Sequence, residues 1–240
     1  MVIYLPELSA SDTRFPAVER ALADPDGLLA MGGELSVERL LTAYNNGIFP
    51  WFNDDDPLLW WSPSIRAVFA PHTLKPNRSL LKVLRRGRFT FSVNCAFSQV
   101  IAHCAAPRNK QSGTWISAQM QQAYLLLHQQ GHAHSVEVWQ QEKLVGGLYG
   151  LQIGALFCGE SMFNLQPDTA KLALVMLQHH LQSATAGWID CQMPNPFLLQ
   201  LGASKMSRQD YLQLLQQQAV QSPHRELWRA RTLSAGFTDV

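Results

Sequence analysis

The chain has 240 residues, of which 47% are hydrophobic, so it can bury the core of one large domain or of one domain with a small partner. No stretch approaches the roughly 18 uninterrupted apolar residues that a membrane helix needs. The N-terminal residues lack the basic and then apolar pattern of a secretory signal. The four cysteines have the spacing of neither a zinc knuckle nor a redox pair, so we expect reduced thiols, a cytoplasmic protein and no metal.

The net charge of +1 hides an uneven distribution along the chain. Residues 1–56 contain ten acidic and three basic residues, whereas residues 57–136 contain nine basic residues and no acidic one. A long segment without carboxylates attracts anions, and the phosphate backbone of a nucleic acid is the commonest large anion. The alternative is that these bases pair with the acidic N-terminal part across a domain interface.

The first sixty residues are interrupted by five prolines, which predicts a small N-terminal domain over residues 1–64. Within it, Ser36 is the expected N-cap of a short helix that ends at Gly47. A second helix is expected between the Asn77 cap and Gly87.

This second helix carries a cationic stripe. Arg78, Lys82 and Arg85 are spaced i, i+4 and i+7, which places them on one face, while the leucines of the helix point to the core. A helix with one cationic side and one leucine side suits phosphate binding. The alternative is an ordinary solvated face.

The remaining elements alternate between the helical period of about 3.6 residues and the strand period of about two residues. In chain order we predict a strand over 89–93, a helix over 117–130, three strands over 134–139, 144–151 and 155–158, a helix over 169–183 capped by Asp168, a strand over 188–192, and a helix from the Ser207 cap to about 217. The three consecutive strands predict an antiparallel meander. The whole pattern indicates an α+β fold.

Three polar residues are candidates for chemistry. Asp190 and Gln192 are two apart on a predicted strand, so both side chains point to one face. Asp190 could then fix the amide of Gln192, whose carbonyl could accept a hydrogen bond from an incoming amine; the alternative is a satisfied polar pair at a strand end. Glu160 follows a strand-like run and is either a structural hydrogen-bond partner or held for an ammonium ligand.

Two tryptophans lie in segments bounded by glycine or proline. Trp51 and Trp115 could each stack on a nucleic-acid base for about 1–3 kcal/mol, or could instead fill the core beneath a loop. His132 and His134 have no third ligand nearby in the sequence, so we expect no metal there.

Seven short motifs occur in order along the chain: GLLAMGG at 27–33, GIFPWF at 47–52, WWSP at 60–63, GTWI at 113–116, GHAHSVE at 131–137, CGESMF at 158–163 and DCQ at 190–192. In this order and spacing they resemble the leucyl/phenylalanyl-tRNA–protein transferase family over roughly residues 25–212. The resemblance implies a small N-terminal α/β domain over residues 1–64. It also implies a larger GNAT-like acyltransferase domain over 65–240, with a mixed, mainly antiparallel sheet.

The resemblance also implies an activity. Such an enzyme moves leucine or phenylalanine, with methionine as a further candidate, from aminoacyl-tRNA to the N-terminal α-amine of proteins that begin with Arg or Lys, which marks them for N-end-rule degradation. Its partners are Leu-tRNA or Phe-tRNA and the acceptor protein, and it needs no cofactor because the ester is already activated.

The site residues follow from the resemblance position by position. Asp190 and Gln192 are the implied catalytic relay, Glu160 binds the α-amino group of the aminoacyl moiety, and Trp51 and Trp115 hold the 3′-terminal adenosine. The implied phosphate-binding residues are Arg78, Lys82, Arg85 and Arg86. The implied pocket for the transferred side chain is formed by Leu148, Phe157, Leu174 and Ile189.

Three positions depart from the family pattern: Leu148 stands in place of methionine, Ala170 in place of serine and Phe197 in place of histidine. Only the first bears on pocket shape and on the choice between leucine and phenylalanine.

Two other functions compete. An acetyl-CoA-dependent N-acetyltransferase would need a glycine-bearing loop before a helix to hold pyrophosphate, yet no glycine lies between Gly159 and Gly187, and the acidic Asp168 would repel phosphate. A non-catalytic RNA-binding module would explain the basic segment, but it would assign no function to Asp190, Gln192 and Glu160.

Overall fold

Two β-sheets organise the molecule. The computed structural model describes residues 4–53, 55–107, 116–184, 187–222 and 226–234, and these contain twelve strands and seven α-helices. No helix within those ranges has the length and apolar character to cross a membrane.

The smaller sheet lies in the N-terminal part. Its strands are β1 Glu7–Leu8, β2 Leu28–Gly32, β3 Phe49–Pro50 and β4 Leu59–Trp61, in the order β1-β2-β4-β3. Trp60 is fully buried and donates its indole N–H to the carbonyl of Gly32 at 2.9 Å. Helix α1, Val37–Asn45, packs beside this sheet, and the side chain of Ser36 accepts from the Arg39 N–H as the predicted N-cap.

The larger sheet has eight strands: β5 Ile65–Phe69, β6 Thr90–Val93, β7 Ala133–Gln140, β8 Lys143–Ile153, β9 Leu156–Asn164, β10 Trp188–Asp190, β11 Ser204–Ser207 and β12 Arg231–Leu233. Their order is β11-β5-β10-β9-β8-β7-β6-β12. Each neighbouring pair is antiparallel except β9 and β10, which run parallel. The α+β class, the meander and the mixed, mainly antiparallel sheet are confirmed.

The other helices are α2 Arg78–Arg85, α3 Phe97–Ala105, α4 Ala118–Gln129, α5 Thr169–Gln182, α6 Pro196–Gln200 and α7 Arg208–Ala219. The side chains of Asn77 and Ser207 each accept a backbone N–H at a helix start, as predicted. Ser117 caps α4 in the same way, although only the helix and not its cap was predicted. Helix α3 was not predicted, because its N-cap, Ala96, has no capping side chain. The buried carboxylate of Glu137 accepts the Ala96 N–H instead, at 3.4 Å.

The larger sheet separates two apolar clusters, because successive side chains of a strand point to opposite faces. Leu148 on β8 belongs to the cluster that contains α2 and α5, whereas Tyr149 belongs to the cluster that contains α1, α3, α4 and α7. The N-terminal part therefore shares a core with the larger sheet. The domain boundary at residue 64 stays a prediction.

Two local predictions are wrong. Strand β10 ends at Asp190, and Gln192 has a positive φ of 55°, so the pair does not follow strand alternation. Asp168 precedes α5 with φ 67° and makes no capping hydrogen bond; its carboxylate pairs with Lys171 at 2.7 Å.

Candidate active site

The parallel strands β9 and β10 separate where the polar candidates lie. Their pairing ends at Cys158 and Asp190. On the other side of β9, the register with β8 shifts between Tyr149 and Gly150, and Glu160 is left without a cross-strand partner. A bulge of this kind bends a strand and changes the direction of a side chain. Glu160 consequently lies at the gap between the two strands.

A cavity of about 180 Å³ opens at this gap. Its apolar wall includes Leu148, Leu174, Leu177, Ile189 and Leu198. Its polar wall includes Glu160, Gln192 and Asn195. A cavity with one apolar and one polar side fits a ligand that carries a hydrophobic group next to a polar or charged one.

The Glu160 carboxylate receives two tyrosine hydroxyls. Tyr44 on α1 donates to Oε1 at 2.6 Å, and Tyr124 on α4 donates to Oε2 at 2.8 Å. Burial raises the pKa of Glu160 to about 7, because removal from water disfavours the charged carboxylate more than the two hydrogen bonds favour it. The negative charge of Asp190 acts in the same direction as burial. Glu160 can therefore change its charge near neutral pH.

The Asp190 carboxylate is fully buried and saturated with donors. Arg66 donates through Nε to Oδ1 at 3.2 Å and through Nη2 to Oδ2. Tyr211 donates to Oδ2 at 3.0 Å, and the backbone N–H of Gln192 donates to Oδ1 at 3.0 Å. The guanidinium of Arg66 lies over the rings of Phe49 and Tyr211, 5.0 and 4.3 Å from their centroids. This ion pair fixes the point where β5, β10 and α7 meet.

The predicted contact between the Asp190 carboxylate and the side-chain amide of Gln192 is wrong. Asp190 holds the backbone of Gln192, and within the described part of the chain the buried Nε2 of Gln192 has no hydrogen-bond partner. The physical reason is the end of β10, after which the chain turns into the left-handed region. Gln192 therefore lines the cavity with the donor capacity of its Nε2 unused among the described residues.

Three of the four predicted side-chain pocket residues, Leu148, Leu174 and Ile189, line the cavity. Phe157 does not. It is fully buried in the apolar cluster beneath, with its ring centroid 5.5 Å from that of Trp228.

Trp51 presents an exposed ring on a rigid support. It is 39% exposed and packs edge-on against Trp61, with 5.5 Å between ring centroids. Trp61 donates its indole N–H to the carbonyl of Trp51 at 2.6 Å, which limits the motion of this segment. The other predicted aromatic residue, Trp115, lies outside the described residues.

Helix α2 presents its four cations to solvent, as predicted. The exposed side chains of Arg78, Lys82, Arg85 and Arg86 surround one surface depression. Within the described ranges, no ion pair joins Arg78, Lys82 or Arg86 to a carboxylate. Their pairing with the acidic N-terminal part is thus not observed. Arg66, from the same basic segment, is different, since its charge is neutralised inside the molecule by Asp190.

Sequence reasoning missed the partners of the polar candidates. Tyr44, Tyr124 and Tyr211 follow the apolar periodicity of their helices, which does not distinguish them from core residues. Arg66 did carry a signal, because a lone arginine inside an otherwise apolar strand requires a buried partner.

Comparisons with known proteins decide the family. The family model described as leucyl/phenylalanyl-tRNA protein transferase matches residues 68–216, and the model for the N-terminal domain of the same family matches residues 33–64. A leucyl/phenylalanyl-tRNA–protein transferase from Shewanella piezotolerans is 58% identical over 208 residues, which cover 87% of this chain and 88% of the relative. The chain belongs to this transferase family.

Other transferases of the family are similarly close. The Shewanella pealeana protein is 56% identical over 208 residues, covering 87% of this chain and 88% of that protein. The Shewanella halifaxensis protein is 58% identical over 201 residues, covering 84% of this chain and 85% of that protein. Among solved structures, that of FemX is a distant likeness, with a TM-score of 0.45 and 11% identity over 74% of this chain and 70% of that one.

The two family matches meet at the cavity. Tyr44 and Trp51 lie in the segment matched by the transferase N-terminal domain, whereas Glu160, Asp190 and Gln192 lie in the segment matched by the main transferase model. The hydrogen bond from Tyr44 to Glu160 joins the two segments.

Proposed function

We propose that this chain is an aminoacyl-tRNA–protein transferase of the cytoplasm. It moves leucine or phenylalanine from tRNA to the N-terminal α-amine of proteins that begin with Arg or Lys. The observation that carries the proposal is the two-sided cavity between β9 and β10, with a leucine-rich wall facing a carboxylate and an amide. Family membership supports the reaction class, and the two-sided cavity supports this location for the reaction.

The aminoacyl moiety fits this cavity in one orientation. Its apolar side chain lies against Leu148, Leu174 and Ile189, and its α-ammonium meets Glu160. Leucine and phenylalanine share apolarity and an unbranched β-carbon, so an apolar pocket with a narrow entrance would exclude valine and isoleucine. A single methylene contributes only about 1–3 kcal/mol to such a choice, which allows both residues to be used.

The reaction is aminolysis of an ester. The α-ammonium of the acceptor, with a pKa of about 8, loses a proton and its nitrogen attacks the ester carbonyl. The new amide bond replaces the ester bond, and the ribose oxygen leaves with a proton. An amide is a very poor base, so Gln192 does not remove the proton. Its carbonyl orients the attacking amine, and its unused N–H donor can stabilise the oxygen on which negative charge develops.

Asp190 acts on this reaction through Gln192. Its four hydrogen bonds leave no room for a contact with the substrates, but one of them holds the Gln192 backbone in its left-handed conformation. Much of the acceleration comes from holding the ester and the amine together, since well-oriented pairs can recover about 7–11 kcal/mol.

The tRNA is held outside the cavity. The exposed ring of Trp51 supports stacking on the terminal adenosine, with Trp115 as the second ring predicted from the sequence. The four cations of α2 support binding of the acceptor-stem phosphates.

The proposal is tested with labelled Leu-tRNA and a peptide that begins with arginine. We expect the label to appear on the peptide, and we expect none on a control peptide of the same sequence whose α-amine is acetylated. If no label appears on the arginine peptide at any pH between 7 and 9, the proposal is refuted. Acetylation of the same peptide by acetyl-CoA would then favour the N-acetyltransferase alternative.

A further inference from the structure

Two tyrosine hydroxyls from different helices meet at the Glu160 carboxylate. Tyr44 and Tyr124 are 1% and 0% exposed, and each donates its single hydroxyl proton to Glu160. The two hydroxyl oxygens lie 2.5 Å apart, and this contact is not a further hydrogen bond while both donate to the carboxylate. Neither tyrosine is among the described residues that line the cavity. The two hydroxyls therefore hold the carboxylate from behind and leave its cavity side accessible to a ligand.

Within the described part of the chain, the charged groups that face Glu160 do not supply it with a free counter-charge. The titratable and charged groups that face it are Tyr44 on α1, Tyr124 on α4, Tyr149 on β8, Cys158 on β9, Asp190 on β10 and Arg66 on β5. The one cation in this set, Arg66, is already paired with Asp190. Hydrogen bonds that a carboxylate accepts favour its ionised form, so the two hydroxyls oppose the effect of burial.

We propose that Tyr44 and Tyr124 are positioning residues that keep the Glu160 carboxylate ionised and aimed into the cavity. Helix α1 of the N-terminal part thereby completes the aminoacyl site. The identity of the group that Glu160 receives, an α-ammonium, rests on the proposed function. The state and orientation of Glu160 do not, so they can be measured in the protein without substrates.

The test is a ¹³C NMR titration of the full chain labelled at the glutamate Cδ atoms, with Glu160→Gln identifying the Glu160 signal. The pKa of Glu160 is expected to be about 7 in the wild type. In Tyr44→Phe and in Tyr124→Phe it rises by about one pH unit, because each change removes one donor to the carboxylate. At pH 7, the affinity for a non-hydrolysable, amide-linked 3′-leucyl adenosine then falls about fivefold, and it returns toward the wild-type value by about pH 9.

Tyr149→Phe is the matched control. Tyr149 is fully buried near Glu160, but its hydroxyl has no hydrogen-bond partner among the described residues, so this change should leave the pKa of Glu160 within a few tenths of a unit. Circular dichroism and thermal melting confirm that each variant is folded. Wild-type titration midpoints in both Tyr44→Phe and Tyr124→Phe would overturn the proposal, as would an equal shift in Tyr149→Phe. If the midpoints shift as expected but the wild type does not bind the 3′-leucyl adenosine, the positioning role holds and the proposed function fails.

Discussion

At the scale of single residues, Asp190 is a buried polar group beside the cavity whose oxygens are already occupied by partners within the protein. Its carboxylate is 0% exposed and accepts hydrogen bonds from Arg66, Tyr211 and the Gln192 backbone. Removing one partner of a buried ion pair leaves the other charge uncompensated. The sequence places Asp190 near Gln192 but contains no indication that Arg66, 124 positions away, would occupy its oxygens.

We predict that Asp190→Asn lowers the free energy of unfolding by about 3–5 kcal/mol, because Arg66 then lies buried without a counter-charge. Gln192→Ala changes the free energy of unfolding by about 1 kcal/mol or less, because the Nε2 of Gln192 makes no hydrogen bond among the described residues. Chemical denaturation of both variants measures the difference. Equal stabilities would show that Asp190 is not the structural anchor described above.

Glu160 gives a second residue-scale prediction, in which stability and activity move in opposite directions. Its pKa rises from 4.5 to about 7 on folding, so the folded state retains a proton that the unfolded state has lost. The resulting loss of stability is absent below pH 4.5, grows as the pH rises, and is complete above about pH 7. Glu160→Gln should therefore be more stable than the wild type by about 3 kcal/mol at pH 8 and equally stable near pH 4.

The measurement for this prediction is a series of denaturation curves from pH 4 to pH 8 for the wild type and Glu160→Gln. A stability difference that does not change with pH would mean that Glu160 ionises normally in the folded protein. Transfer activity should be lost in the variant at every pH.

At the scale of elements, the β8–β9 bulge is what brings Glu160 to the cavity. Two glycines opposite each other at the bulge differ in how much space they leave for a side chain. A Cβ on Gly150 would lie 2.1 Å from the Cys158 carbonyl oxygen, whereas a Cβ on its partner Gly159 would meet its nearest atom at 3.6 Å. We predict that Gly150→Ala destabilises the protein by several kcal/mol and that Gly159→Ala costs about 1 kcal/mol or less. Similar melting temperatures for the two variants would contradict this account of the bulge.

Helix α2 is the second element with a testable role. Lys82→Ala should weaken binding to all aminoacyl-tRNAs alike and lower the slope of log K against log salt by about one. Lys143→Ala is a control, since Lys143 is an exposed cation that belongs to the start of β8 and not to α2. Filter binding at several salt concentrations measures both slopes. An unchanged slope for Lys82→Ala, or an equal loss for Lys143→Ala, would exclude α2 as the phosphate site.

The sequence predicts elements well where their signals are local. The predicted caps at Ser36, Asn77 and Ser207 are such signals, and each corresponding helix begins as predicted. The end of β10 and the bulge at Glu160 depend on which strands pair and where the pairing stops. That information comes from contacts between residues distant in the sequence. Strand periodicity alone therefore predicted Gln192 on the strand, whereas it follows the end of β10.

At the scale of the whole molecule, the N-terminal part and the eight-stranded sheet act as one unit around the cavity. Tyr44 bonds Glu160, the carbonyl of Gly47 accepts from Arg66 at 3.4 Å, and a Cβ on Gly47 would lie 2.8 Å from Leu212. Composition and motifs predicted two parts and an α+β fold. They could not show that the smaller part hydrogen-bonds Glu160 in the larger part's polar wall, because that contact joins residues 116 positions apart.

If the ester is attacked in the gap between β9 and β10, beside Gln192, loss of that side chain slows transfer without weakening the binding of Leu-tRNA. The most direct measurement is single-turnover transfer from pre-bound, labelled Leu-tRNA to an arginine-initiated peptide, comparing the wild type with Gln192→Ala. The account predicts labelled peptide in both, an unchanged Kd for Leu-tRNA, and a transfer rate at least tenfold lower in the variant, on the order of 1.4 kcal/mol or more of lost transition-state stabilisation. A wild-type rate in Gln192→Ala would contradict it.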